Sequence, residues 1–399
     1  MRRVVVQAVV LGVTGVALLA GFGWWLSPAG VRYRYAHSDL VTLRRIAARE
    51  PRNQRAWREL GLRLARDGDG AMAEPALRQA YALDAGDAEV ATGLGEILVS
   101  RGERSQAFQV LRAAVGQHPE FPPARMALGR LYRRRGAYHR AAEQFEAVAT
   151  TRKDYPDAWY ELAVCYLQMQ QVAKASDAIG RALHESPREP SYLALQAATQ
   201  AAVGQIDPAI ASLSEAARLA PKDARIQASL ATMLLTHQRG AQDLVLADRS
   251  ITSLENARPD HPLLPYLRGR RALAAQDWST AAEHLERARQ STPDQDEVYY
   301  ALSQAYRRLG RAAESDRTLQ EYRRRQAVRR EMDELRIHLA VSADPVPLYE
   351  KLADLQMRLG DAAGAVGSCE SALQLAPQNE RIRRRLAELR GVSPAEKVP

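Results

Sequence analysis

The side chains most able to do chemistry are sparse in this chain and poorly grouped for it. Only two cysteines occur, Cys165 and Cys369, 204 residues apart and each within a helical pattern. A disulfide framework or a thiolate zinc site needs more cysteines at closer spacing. Both are therefore expected to act as small buried hydrophobes. The eight histidines are dispersed, and His284, beside Glu283, falls in an ordinary helical stretch and reads as solvated. Carboxylate pairs occur only as helix-surface charges. There is no phosphate loop of the G-x4-G-K-[ST] type, no H-E-x-x-H and no G-x-S-x-G. An enzyme is not expected, and no catalytic, cofactor-binding or metal-binding residue is assigned.

What remains is arginine. The formal net charge is +9, carried mostly by Arg. This excess reads as scattered and lacks the aromatic-plus-basic signature of single-strand binding, so a nucleic-acid partner is not expected. One run stands out. After Tyr322 the chain continues Arg323-Arg324-Arg325-Gln326-Ala327-Val328-Arg329-Arg330 with no helix breaker until Pro345. It reads as a helix prolonged to about Val341 and projecting beyond its neighbours. Arg323, Arg324, Arg325, Arg329 and Arg330 are then either a solvated helix face or a docking arm for an acidic partner or anionic lipid head groups.

The elements that hold these side chains follow from a period. Ala73, Ala107, Ala141, Ala175 and Ala209 recur at a spacing of 34, and the column resumes after offsets at Ala247, Ala281, Ser315 and Ala365. A second small column runs twelve residues ahead: Gly61, Gly95, Gly129, Ala163, Ala197, Ala231, Gly269, Ser303, Ala353. Bulky residues stand four after the alanines, at Leu77, Leu111, Phe145, Ile179 and Leu213, and prolines close many units, as at Pro119, Pro187 and Pro221. Small residues let paired helices approach closely while the bulky column fills the space between units. Each unit buries its apolar face only against its neighbours.

The best copies, Trp57-x2-Leu60-Gly61-x2-Leu64 and Trp159-x2-Leu162-Ala163-x2-Tyr166, resemble the tetratricopeptide repeat, with its W-x2-L-G-x2-Y…A-x3-F…P pattern. The likeness covers about residues 54–379. It implies an all-α fold, a right-handed superhelical solenoid of about nine helix-turn-helix units. It also implies a groove lined by the first helices, where ligand peptides lie. Candidate groove residues are Arg130, Arg133, Arg134, Tyr160 and Gln168, followed by Leu195, Ala198, Tyr266, Leu267 and Arg270. A basic stretch would thus lead into a more apolar one, suited to a segment with an acidic end and an apolar end; packing between helices is the alternative role for these residues. Thr92, Gly93 and Glu96 do not supply the Lys/Asn/Arg clamp of family members that bind chaperone carboxylates.

Val4 to Leu26 is free of charge and follows Arg2 and Arg3. At about 1.5 Å per residue it reaches roughly 35 Å, enough to cross a hydrocarbon core of about 30 Å. Trp24 and Trp25 would sit in the interfacial belt. A transmembrane segment within residues 1–30 is therefore expected to precede the solenoid. The order after it is a half-repeat helix (38–51), units 1–8 (54–341), unit 9 (346–379), a capping helix (380–390) and a disordered tail (391–399). The array is expected on the extracytoplasmic side of an inner membrane, with a cytoplasmic array as the alternative. The function expected is a membrane-anchored scaffold for protein partners, like bacterial single-span repeat proteins of envelope assembly or secretion. The alternative is a regulatory accessory subunit of a membrane glycan-synthesis, export or cytochrome-maturation machine.

Overall fold

The computed structural model describes residues 33, 35, 37–152, 154–238, 240–342 and 344–391. Among them lie twenty α-helices and no strand. The chain divides into two compact bodies, Met1–Met169 and Gln170–Pro399. The first holds α1 (Leu40–Arg49) and the hairpins α2/α3 (Gln54–Arg66, Gly70–Leu83), α4/α5 (Ala88–Ser100, Arg104–Gln117) and α6/α7 (Pro122–Arg134, Tyr138–Thr151), then α8 (Pro156–Gln168). The second opens with α9 (Val172–Glu185). The hairpins α10/α11 (Pro190–Ala202, Ile206–Leu219), α12/α13 (Ala224–Thr236, Ala241–Ala257) and α14/α15 (Leu264–Ala274, Trp278–Ser291) follow. After them come α16/α17 (Asp296–Arg308, Ala312–Val341), α18/α19 (Val346–Leu359, Ala362–Leu375) and α20 (Glu380–Leu389).

The small columns make the hairpins. All the column alanines from Ala73 to Ala365 are fully buried, and the serine in that column, Ser315, is 6% exposed. That serine donates its hydroxyl to the carbonyl of Ser303 at 3.0 Å, so the polar substitution is satisfied inside the core. The glycine column lies directly against the bulky one. A Cβ at Gly61 would stand 2.7 Å from Leu77 Cγ, one at Gly95 2.5 Å from Leu111 Cγ, and one at Gly129 2.6 Å from Phe145 Cε1. A side chain there would have to displace the facing bulky residue or move the helices apart.

The same turn closes every first helix except α12. Gly68, Gly102, Gly136, Gly204, Gly310 and Gly360 have φ between 74° and 83°. The next residue bonds back across the helix end, as Asp69 N–H to Leu64 O at 2.9 Å and Ala137 N–H to Tyr132 O at 3.0 Å. Gln170 and Gln276 take the same left-handed conformation, at φ 57° and 62°, so the turn dictates the backbone even where glycine is lacking. Asn or Asp then caps several helices: the Asp87 carboxylate accepts from the N–H groups of Glu89 and Val90 at 3.1 Å each.

Two elements depart from the repeat. Helix α13 has 17 residues where the second helices other than α17 have 14, which absorbs most of the four extra residues near Gly240. Helix α17 runs 30 residues, to Val341 as the absence of a breaker predicts. It does not project freely. Val328, Met332 and Leu335 of its second half are buried with Leu352, Leu355 and Leu359 of α18 in one apolar cluster. The extension is amphipathic, and α18 covers its apolar stripe.

No helix among the described residues is long and apolar enough to cross a membrane. The expected span, residues 4–26, lies outside the described residues, as does 392–399 of the tail. Both cysteines are free and buried, and burial pushes the Cys165 thiol up to about 12.

Candidate partner-binding surface

The first helices of the hairpins carry side chains that packing does not consume. In the first body this face is polar and cross-linked by charge. Arg58 on α2 reaches Asp87 at 2.8 Å and also Glu89, at the start of α4. Arg130 and Arg133 on α6 converge on Glu161 of α8, each Nε 2.9 Å from a carboxylate oxygen. The Glu161 side chain is 8% exposed, whereas Arg130 and Arg133 remain 43% and 34% exposed. Two guanidinium groups thus share one carboxylate and leave a surplus positive charge on the face. The Arg133–Glu161 contact is close but misaligned, and neither Arg133 Nε nor Glu161 Oε2 completes a hydrogen bond. Glu96 on α4, one hairpin before Arg130, has its carboxyl pushed up by burial, with Arg130 opposing the shift. Arg134 and Gln168 are exposed, and Tyr160 is half-buried.

In the second body the corresponding face is small and apolar on α10. Leu195 is half-buried, and Ala198 and Ala202 are exposed. Val203 extends this surface with 56% of its area exposed. Further along, the expectation fails. Tyr266 is 2% and Leu267 0% exposed, so both belong to the core between α14 and its neighbours rather than to a ligand-facing surface. Helix α14 has 11 residues and starts at Leu264, and the equivalent positions of full-length first helices, Met126 and Ala127, are buried as well. Arg270 is half-buried and donates its Nη2 to the carbonyl of Leu235 at 2.7 Å, an interhelix tie rather than a free cation.

The arginine run on α17 is also divided by the structure. Arg323, Arg324 and Arg330 are exposed, and Arg324 reaches Glu321 at 3.4 Å. Arg325 and Arg329 are not part of a docking arm. They grip Asp296 at the start of α16, whose carboxylate side chain is 1% exposed. Arg325 Nε donates to Asp296 Oδ1 at 2.7 Å, and its Nη2 donates to Leu359 O at 2.8 Å. The guanidinium also lies 4.7 Å from the Tyr299 ring centroid. Gln326 completes the carboxylate shell at 3.1 Å. Periodicity places an arginine on a helix face but does not reveal that a buried aspartate from the previous helix waits opposite it.

Among the described residues no group of three or more His, Cys, Asp or Glu is placed to hold a metal ion.

A family profile described as tetratricopeptide repeat matches residues 64–131, 132–199 and 272–336. A segment of 100 residues is 30% identical to the general transcriptional corepressor trfA of Dictyostelium discoideum, over 25% of this chain and 7% of that protein. The chain therefore spans under a tenth of that curated relative. A solved structure from a functional characterization of Pseudomonas aeruginosa PilF aligns at 18% identity and TM-score 0.46, over 52% of this chain and 93% of that one. A tetratricopeptide repeat protein of Parabacteroides merdae aligns at 17% identity and TM-score 0.49, over 63% and 98% of the two chains. The repeat protein TTC0263 of Thermus thermophilus aligns at 21% identity and TM-score 0.40, over 47% and 99%.

Proposed function

The chain belongs to the tetratricopeptide repeat family, a scaffold suited to protein–protein interaction, and we propose that it serves as a membrane-anchored scaffold recruiting partners of a bacterial envelope assembly or secretion complex. The observation that carries the recruiting role is the first-helix face. It holds exposed or half-exposed side chains that form no part of either core, polar from Arg130 to Gln168 and small and apolar at Leu195, Ala198 and Ala202. A polar face with a charge surplus and an apolar face give two chemically different landing surfaces for extended or helical segments. The anchoring rests on the uncharged stretch Val4 to Leu26 behind Arg2 and Arg3. The array lies on the extracytoplasmic side of the inner membrane.

Crosslinking and affinity capture from membranes tests recruitment. Tyr160→Ala in one face, or Ala198→Arg in the other, should each lose a specific co-purifying protein while the fold stays intact by circular dichroism. Identical capture by wild type and both variants would remove the role from this face. Anchoring is tested separately. The chain should resist alkaline extraction, and alkaline phosphatase fused after Pro399 should be active; a fluorescent, phosphatase-inactive fusion reverses the side.

A further inference from the structure

Placed on the helices, the basic excess is not scattered. Residues 101–140 hold nine arginines and two glutamates, so seven of the net nine positive charges fall within a tenth of the chain. The preceding stretch, 41–100, balances nine arginines against nine acids. The block comprises α5, α6 and the turns that open α5 and α7.

Part of the block is held by partners inside the first body. Arg101 pairs with Glu74 and Glu103, and Arg130 and Arg133 share Glu161. Arg125 donates to Pro119 O at 2.5 Å and to Gln144 at 3.0 Å. Arg104, Arg134, Arg135 and Arg140 lie at or beside the α4–α5 and α6–α7 turns, and Arg112 within α5. Arg135 donates to the carbonyl of Arg104 at 3.3 Å, tying one turn to the next, and its guanidinium lies 4.8 Å from the Phe108 ring centroid. Phe108 meets Tyr132 edge to face at 5.3 Å, and Arg140 lies 6.0 Å from the Tyr132 ring centroid. Arg134 and Arg140 are exposed and form no ion pair among the described residues.

We propose that this turn edge of α4–α7 is a second docking surface, meeting the first-helix face at Arg134, and that it takes an acidic segment of a protein partner. Guanidinium forks match carboxylates in geometry as well as charge. The two aromatic rings are packed on each other with arginines beside them, so they offer no open platform on which nucleobases stack. Among the described residues of the first body the exposed large hydrophobics are Tyr33, Val41, Met72 and Leu83, none of them in this block, so the edge lacks the apolar insertion of a membrane-surface module. A flexible acidic chain needs neither.

The test uses the full chain and a short fluorescein-labelled peptide of alternating Glu and Ser. Anisotropy should report binding that weakens as salt rises past roughly 0.1 M, where the screening length falls below about 10 Å. Arg134→Glu with Arg140→Glu should weaken it about tenfold or more, and the milder Arg134→Gln with Arg140→Gln should give an intermediate loss. Arg381→Glu with Arg384→Glu makes the same charge change on α20, at side chains 84% and 69% exposed, and should leave affinity unchanged. Tyr160→Ala should also leave it unchanged, which separates this edge from the first-helix face. Three results overturn the proposal: equal losses in the turn-edge and α20 variants, no loss in the turn-edge variants, or displacement of the peptide by oligothymidylate or phosphatidylglycerol vesicles at lower charge concentration than by unlabelled peptide.

Discussion

Removing Asp296 should unlock the junction between α16, α17 and α18. Its carboxylate side chain is 1% exposed and faces Arg325, itself 6% exposed, and the more open Arg329. Asp296→Ala leaves the Arg325 guanidinium buried on Leu359 O, with only the more exposed Glu321 at 4.0 Å as counter-charge. Breaking one side of such a buried pair costs about 3–5 kcal/mol. Arg329→Ala, at a side chain 44% exposed, should cost under about 1 kcal/mol because solvent already screens it. Asp296→Leu with Arg325→Met removes both charges and should cost less than the two single changes added together. Urea denaturation followed by hydrogen exchange reads these effects residue by residue. Repeat units contact only their neighbours, so protection should fall in α16–α19 and stay unchanged in α2–α7. An Asp296→Ala loss within about 1 kcal/mol of wild type, or protection lost evenly through both bodies, would refute the assignment of this pair as a local clamp.

The packing and charge of the first body give two further expectations. Gly129→Ala places a Cβ 2.6 Å from Cε1 of the fully buried Phe145 and should destabilise by about 1–3 kcal/mol, with partial rescue by Phe145→Leu. Gly116→Ala on α5 meets nothing within 4 Å and should be neutral or slightly stabilising; equal urea midpoints for the two variants would contradict the close-approach role of the column. The Glu74 carboxyl is held below the usual glutamate range by the Arg78 hydrogen bond at 2.7 Å and by Arg101, against the cost of burial. Its folded value lies below its unfolded one, so the stability it contributes is complete above the unfolded value of about 4.3 and is lost as pH falls through the depressed value. Thermal midpoints against pH should therefore fall more steeply on the acid side for wild type than for Glu74→Gln, and parallel curves would count against the pairing.

The hairpins were legible because their cause is local and periodic. A Gly or Ala opposite a bulky residue every 34 positions fixes which helices pair, and the structure places those columns at zero or near-zero exposure. The length of α17 was legible for the same reason, since no breaker interrupts it before Pro345. Its partner was not. Val328, Met332 and Leu335 recur at helical spacing, but only tertiary structure shows that α18 covers them. The surface was the least legible part. Arg325 and Arg323 look alike in a run of arginines, yet one is buried on Asp296 and the other faces solvent. Leu267 and Leu195 occupy equivalent positions, but the former is fully buried in the core and the latter only half-buried. The charge block at 101–140 was present in the sequence as a local count and was hidden by averaging over the whole chain.

The places where the chain departs from its repeat do different work in the two bodies. In the second, the additional residues of α17 become structure. One continuous helix completes the hairpin with α16 and then serves as the packing partner of α18, while Arg325 ties the start of α16 to the end of α18 through Asp296 and Leu359 O. A hinge there would show few buried apolar contacts and exposed polar groups; this junction has a buried apolar stripe and a buried ion pair, so it is a stiff segment. In the first body the repeat period is kept without a break from Gly61 to Ala163, and variation lies in side chains outside the packing columns. A regular backbone holds those side chains in fixed register, as a recognition surface requires. Partner chemistry is therefore expected to concentrate where the repeat is most regular, and mutations in the irregular α16–α18 junction should change stability long before they change binding at the α4–α7 turns.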